Sequence, residues 1–376
     1  MQVLLARYTS SGTLIALVLG AEGFFALTLS PVIGPWSDTF HTPLGRRRPF
    51  MLVALGPMAF CLALVAFMPN FWTMALVLFA FFFAYYVYEP PYRGLYPDLL
   101  DPETYGRAQG VQHIMRGLAL GMALIGGGVL LDIWTPFPFL IAAVVTTAAC
   151  GGCILLVRED GGYGAVYEGT RNYLDRSWRV LREFPDVRAF LAANAAWEGT
   201  FAAARVFVIN YVVKGLHQPV YVSSIVLAGV AGGYVVAAIG AGRIGDRVGL
   251  GRVIFACSFV YGGGLLLGGL ISTWHYWYIG LIFVVAVAGG TVMTLSWGLL
   301  FKLMPFEHRG AASGLATTTK GVGLILGPLV AGAAIDLTSY RALWPICAVP
   351  VIGAIPIVAR LMRVEAASDR PARSVA

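Results

Sequence analysis

Five ionisable residues stand inside long apolar stretches of this 376-residue chain: Glu22, Arg116, Glu198, Arg205 and Lys320. At the centre of a bilayer each would cost about 2.5 to 3.5 kcal/mol on the insertion scale, so such groups pair with one another or face water. A carboxylate held between desolvation, which raises its pKa, and a nearby cation, which lowers it, can exchange protons near neutral pH. Glu22, in Leu19-Gly20-Ala21-Glu22-Gly23-Phe24-Phe25, is the first candidate for that acid and Glu198 the second. Arg205 lies seven residues beyond Glu198 on the same helical face, so a permanent Glu198–Arg205 pair is the competing arrangement. Gln112 stands one turn before Arg116, and Asn194 and Trp197 flank Glu198. Amides, a guanidinium and an aromatic face together suit the hydroxyls and apolar ring face of a sugar, with Lys320 and Arg205 as further polar contacts.

The elements that must position these groups follow from composition. Hydrophobic residues make up 58% of the chain and charged residues 12%, against about 25% charged in an average soluble protein; mean hydropathy is +0.76. That balance excludes a soluble enzyme, a nucleic-acid binder and a secreted disulfide scaffold, and the unbroken apolar runs exclude an outer-membrane barrel. The five cysteines, Cys150-x-x-Cys153 included, all fall in apolar runs, where Cys behaves as a small hydrophobe. An all-α integral membrane protein is expected, with eleven spans near 13–35, 50–68, 71–88, 108–131, 137–157, 189–212, 221–241, 253–272, 277–301, 311–335 and 342–361. The connections alternate in basicity. One side takes Arg46, Arg47, Arg48, Arg93, Arg107, the arginines between 158 and 188, Arg243, Arg247, Arg252, Lys302, Arg309 and the tail from Arg360; the other holds only Arg7, Lys214 and Arg341. The positive-inside rule makes the first side cytoplasmic, with the C-terminus inside and the N-terminus outside. On that frame Glu22, Arg116, Glu198 and Lys320 all lie ~12 to 14 Å from a membrane surface, converging near the midplane on four helices.

An internal repeat organises the chain. Gly34-x-x-x-Asp38 followed by Gly45-Arg46-Arg47-Arg48 is matched by Gly242-x-x-x-Asp246-Arg247-x-Gly249-x-x-Arg252, with Asp38 and Asp246 208 positions apart. Gly106-Arg107-Ala108-x-Gly110 is matched by Arg309-Gly310-Ala311-Ala312-Ser313-Gly314, at an offset of 202. Two similar offsets in the same order mean parallel repeats about an axis along the membrane normal. The expected domains are a five-span bundle over 1–157, a cytoplasmic central loop over 158–188, a six-span bundle over 189–363 and a cytoplasmic tail over 364–376. Within the loop, Leu174, Trp178, Leu181 and Phe184 recur at helical spacing, which predicts an amphipathic helix on the inner leaflet, a solvated linker being the alternative. An Asp at a helix end and an Arg cluster on the next loop can close a charge network whose rupture frees one bundle to rock against the other. Its candidate members are Asp38, Arg46, Arg47, Arg48, Arg93, Asp98, Asp246, Arg247, Arg252 and Arg309. Gly117-x-x-x-Gly121, Gly229-x-x-x-Gly233 and Gly323-x-x-x-Gly327 permit close helix approach.

An Asp and a Gly-Arg cluster between the second and third helices of each half resemble the signature loops of the major facilitator superfamily. The first copy, G-P-W-S-D-T-F-H-T-P-L-G-R-R-R-P-F, resembles the expanded loop of the sucrose:proton and glycoside-pentoside-hexuronide cation symporters, although Thr39 stands where their pattern usually has Arg. Pro91-Tyr92-Arg93-Gly94-Leu95-Tyr96-Pro97-Asp98 resembles the segment those proteins carry after their fourth helix. The resemblance implies a twelve-helix fold in which the helices of Glu22, Arg116, Glu198 with Arg205, and Lys320 are the second, fifth, seventh and eleventh, around a central cavity. Repeat two places 57 residues before its Asp246 whereas repeat one places 37 before Asp38; the deficit matches one helix, so the chain is expected to lack the first of the twelve. The implied function is secondary active transport by alternating access, as proton-coupled symport of a sugar or glycoside. The rivals are an exporter of lipophilic or cationic compounds and a transport-inactive partner protein of the same fold. Expected partners are a small-molecule substrate, H⁺ and membrane lipid, with no nucleic acid. A monomer in the plasma (cell inner) membrane is expected, with no cofactor, no metal and no enzymatic activity.

Overall fold

In hydrocarbon a backbone must satisfy its own N–H and C=O groups, which apolar runs do by folding as helices. The computed structural model describes residues 1–39, 42–99, 133–159, 178–271, 273–303 and 309–368, with scattered positions from 115 to 131 and Asp175, and these residues contain no strand. In order, the helices are α1 (Gln2–Tyr8), α2 (Gly12–Thr28), α3 (Ser30–Thr39), α4 (Arg48–Leu64), α5 (Phe71–Leu99), α6 (Phe137–Leu156) and α7 (Pro185–Asn210). They continue with α8 (Val220–Val248), α9 (Leu250–Leu270), α10 (Tyr278–Lys302), α11 (Arg309–Leu337) and α12 (Leu343–Ser368). Nine described segments are long and apolar enough to cross a bilayer, the first running from Gly12 through Gly34 across the α2–α3 joint. Helix α7, 26 residues long, is more polar and is not among these nine. The expected span over 108–131 lies mostly outside the described residues. Large apolar side chains such as Phe60, Trp72, Leu76, Val144 and Leu156 are exposed on the bundle surface, as lipid-facing positions are.

Several helices outrun the sequence expectation. Helix α5 continues through Pro90 and Pro91 to Leu99, so the segment from Pro91 to Asp98 is helical rather than a loop. Helix α8 reaches Val248, which puts Gly242 to Arg247 on its last two turns and leaves Gly249, at φ +104°, as the whole turn. Where no water competes for freed carbonyls, Pro and Gly end a helix less readily than in a soluble protein.

Within the first half α4 packs on α5 and α6; within the second, α8 packs on α10, α9 on α10 and α12, and α7 on α11 and α12. The two sets meet chiefly where α2 lies along α11. The contact is tight because glycines face each other: a Cβ on Gly12 would come 3.1 Å from the Gly332 carbonyl, and one on Gly23 would come 2.6 Å from that of Gly321. The helices run antiparallel and in register over this length.

The arginine-rich connections gather at one end, and the repeat reappears in how that end is pinned. The Glu159 carboxylate accepts from the backbone N–H groups of Arg46 (2.8 Å), Arg47 (3.1 Å) and Arg48 (2.9 Å) at the start of α4. In the second half the buried Glu365 carboxylate accepts from Leu250 N (3.2 Å) and Gly251 N (2.7 Å) at the start of α9, and from Lys302 Nζ (3.0 Å). Gly45 and Gly249, both at positive φ, make the two entry turns. Helix starts carry unpaired N–H groups and partial positive charge, which a carboxylate satisfies on both counts.

Candidate functional site

Helix α11 is clamped between α2 of the first half and α7 of the second. Toward α7 its Gly327 sits against the backbone of Gly199, and a Cβ on Gly323 would lie 2.7 Å from Gly199 N. This brings Glu22, on α2, opposite Arg205, on α7. Their side chains form an ion pair, Arg205 Nη2 to Glu22 Oε2 at 2.5 Å, between the two halves of the chain. Glu22 lies ten residues into α2, so the pair sits ~15 Å below the helix start. The Arg205 side chain keeps 46% of its surface exposed and Glu22 21%, so the pair lines a space rather than filling a core.

The same-helix pairing of Arg205 with Glu198 is therefore corrected: the carboxylate that Arg205 holds is Glu22. Glu198 is instead buried, one residue from the Gly199 contact with α11. Asn194 is likewise buried and donates from Nδ2 to the Ala316 carbonyl (3.2 Å) and Thr319 Oγ1 (3.1 Å) on α11. Trp197 has no exposed surface and packs edge-on against Phe190, so in this conformation its face is not open to a solute. Lys320 is partly buried on α11, one residue from Gly321. Gln112 and Arg116 lie outside the described residues.

Helix α5 supplies what the sequence reading missed. Tyr85 and Tyr86 stand close enough to Arg205 to interact with its charge, and Tyr86 also neighbours Glu22 and Glu89. Glu89 pairs with Arg93 one turn further on. A line of polar groups thus runs from Arg93 through Glu89 and Tyr86 to the Glu22–Arg205 pair. The spacing of Glu89 and Arg93 at i, i+4 is a visible helical-pair signal, masked in the sequence by the two prolines between them.

Of the charge network expected at the arginine-rich end, Arg46, Arg47 and Arg48 offer backbone N–H groups to Glu159. The Arg47 guanidinium covers Gly94 on α5, and Arg48 donates from Nε to the Ile154 carbonyl at 2.7 Å. These contacts stay within the first half. Asp246 and Arg247 are exposed, and Arg252 donates from Nη1 to the Val248 carbonyl of its neighbouring turn at 3.5 Å. The side chains of Asp38, Asp98 and Arg309 lie outside the described residues.

At the opposite end a carboxylate absent from the sequence reading joins the halves. Asp336, at the end of α11, accepts from Gly12 N (2.6 Å), Thr13 N (3.0 Å), Ser11 Oγ (2.9 Å) and Thr13 Oγ1 (2.7 Å) at the start of α2. Among the described residues no group of His, Cys, Asp or Glu could hold a metal ion.

The pattern described as Major Facilitator Superfamily matches residues 1–212 and again 189–375. The chain belongs to that superfamily. It is a multi-pass membrane protein of a transporter family, not an enzyme family. An uncharacterised superfamily transporter of Mycobacterium tuberculosis, matched in two strains, is 32% identical over 114 residues, which are 30% of this chain and 16% of that protein. The matched stretch thus spans about a sixth of the relative's length. Among solved structures, a point variant of the nucleoside transporter NupG superposes with TM-score 0.75 over 96% of this chain and 94% of that one, at 15% identity. The human organic anion transporter MFSD10 superposes with TM-score 0.67 over 92% of this chain and 83% of that one, also at 15% identity. At such identities the likeness is one of fold.

Proposed function

We propose that this protein is a secondary active transporter that works by alternating access and couples proton movement to symport of a sugar or glycoside. The observation that carries the reading is the Glu22–Arg205 pair, which spans the two halves and borders open space. An acid whose partner sits on the other half links its protonation to how the halves meet, because proton uptake removes the attraction between them. In this reading residues 1–157 and 189–363 are the two moving bundles, joined by 158–188. The arginine-rich end is cytoplasmic, the C-terminal tail of 364–376 is inside, and the chain works as a monomer in the plasma membrane. Glu22 is the coupling acid, and Arg205 and Lys320, with Tyr85 at the edge, contact solute. A nucleoside is itself a glycoside, so the fold shared with NupG supports including nucleosides in the substrate class. The exposed Arg205 guanidinium favours a second reading, an acid-bearing solute, which the fold shared with MFSD10 also supports.

The test is uptake into proteoliposomes of labelled sucrose, glucose, uridine and glucuronate under an imposed inward pH gradient. One of the neutral glycosides should accumulate in wild type. Glu22→Gln should abolish accumulation while leaving exchange at equal pH. Accumulation of glucuronate alone favours the second reading, and accumulation of none in any gradient sinks both.

A further inference from the structure

In the orientation proposed above, the Asp336 end of the molecule faces outward. We infer that Asp336 and the turn of Ser11, Gly12 and Thr13 form the outer gate of the transporter, closed in this structure. Asp336 belongs to α11 and its four donors to the start of α2, so the bonds tie one half of the chain to the other. Beneath them the Gly12–Gly332 and Gly23–Gly321 contacts zip the two helices together down to the depth of Glu22. The carboxylates at the other end behave differently. Glu159, just past α6, grips the start of α4; Glu365 on α12 grips the start of α9; and Asp186 at the start of α7 pairs with Arg360 on α12 (2.7 Å), so each joins helices on the same side of the α2–α11 seam. Groups that hold a half rigid need not break during rocking; a group that joins the halves must.

Opening outward therefore separates Asp336 from α2 and parts the glycines together. Two of the four bonds come from backbone N–H groups at a helix start, which water can satisfy once the gate opens. The latch is thus reversible and leaves no buried group unpaired in either state. Among the described residues, Tyr340 on the following turn is a titratable group that stands near Asp336.

The inference rests on the alternating-access reading, yet it is tested without any solute, so failure to find a transported compound leaves it standing. In the full chain with Cys61, Cys150, Cys153, Cys257 and Cys347 replaced, a reporter Ala16→Cys is placed one turn below the latch, where the side chain is buried. A second, Thr317→Cys, is placed on the exposed face of α11 toward the opposite end. A membrane-impermeant maleimide is applied from outside to the first and from the cytoplasmic face to the second. Asp336→Asn should raise outside labelling of the first about tenfold and lower cytoplasmic labelling of the second, as loss of charge-assisted bonds shifts a two-state balance. Ser11→Ala with Thr13→Ala, which spares the backbone bonds, should give a smaller shift of the same sign. Unchanged labelling in Asp336→Asn overturns the inference. So does a rise at both reporters, which would mean general loosening.

Discussion

Glu22 and Arg205 are costly residues placed so that each removes the other's cost. Alone in hydrocarbon either would oppose insertion; paired, with Arg205 exposed and Glu22 partly so, they are tolerated. A double-mutant cycle measures the link. Glu22→Gln and Arg205→Gln should each destabilise the detergent-solubilised protein, and their effects should fall short of additivity by about 1 to 3 kcal/mol in thermal or denaturant unfolding. Full additivity would remove the pair as an energetic unit. Both charges were legible in the sequence because ionisable residues in apolar runs stand out, but their partnership was not. Spacing along one helix offered Glu198 to Arg205, and nothing in local sequence encodes which residue of another helix will lie opposite. Tyr85, Tyr86 and Glu89 were overlooked for a related reason: their role comes from what α5 packs beside, not from their neighbours in the chain.

Among the helices, α11 carries the most constraint, because it is glycine-lined toward both neighbours. Gly327 meets the backbone of Gly199, which cannot move aside as a side chain can. Gly327→Ala should therefore cost about 1 to 3 kcal/mol, while Gly353→Ala, which meets open space, should leave the melting temperature unchanged or raise it. Equal effects would mean that the α7–α11 contact is looser than described. The motif Gly323-x-x-x-Gly327 announced this contact in the sequence. At the pinned end, Glu365→Ala strips the start of α9 of its acceptor and Lys302 of a partner, and should cost about 3 kcal/mol. Differential scanning fluorimetry resolves that from a silent change. Helix existence was readable from the apolar runs, whereas helix ends were not: Pro90, Pro91 and Gly242 signal breaks in water, and α5 and α8 run through them.

At the scale of the molecule, the duplicated halves keep the same device at the arginine-rich end, Glu159 capping the start of α4 and Glu365 the start of α9, and meet along α2 and α11. The repeat was visible in the loops at offsets of 208 and 202, and the structure adds a pinning carboxylate at 206, from Glu159 to Glu365. Asp336 stayed hidden because it reads as the polar close of an apolar span; only its position against Ser11 to Thr13 gives it a role. The central claim is that the two ends open in turn. Spin labels at Tyr8→Cys and Tyr276→Cys report one end, and labels at Leu44→Cys and Val248→Cys the other, all at exposed positions. Measured by double electron–electron resonance in nanodiscs from pH 5 to 8, the two distance distributions should shift in opposite senses, one end widening as the other narrows. Distances that widen together, or a single distribution at both ends under every condition, would contradict alternating access.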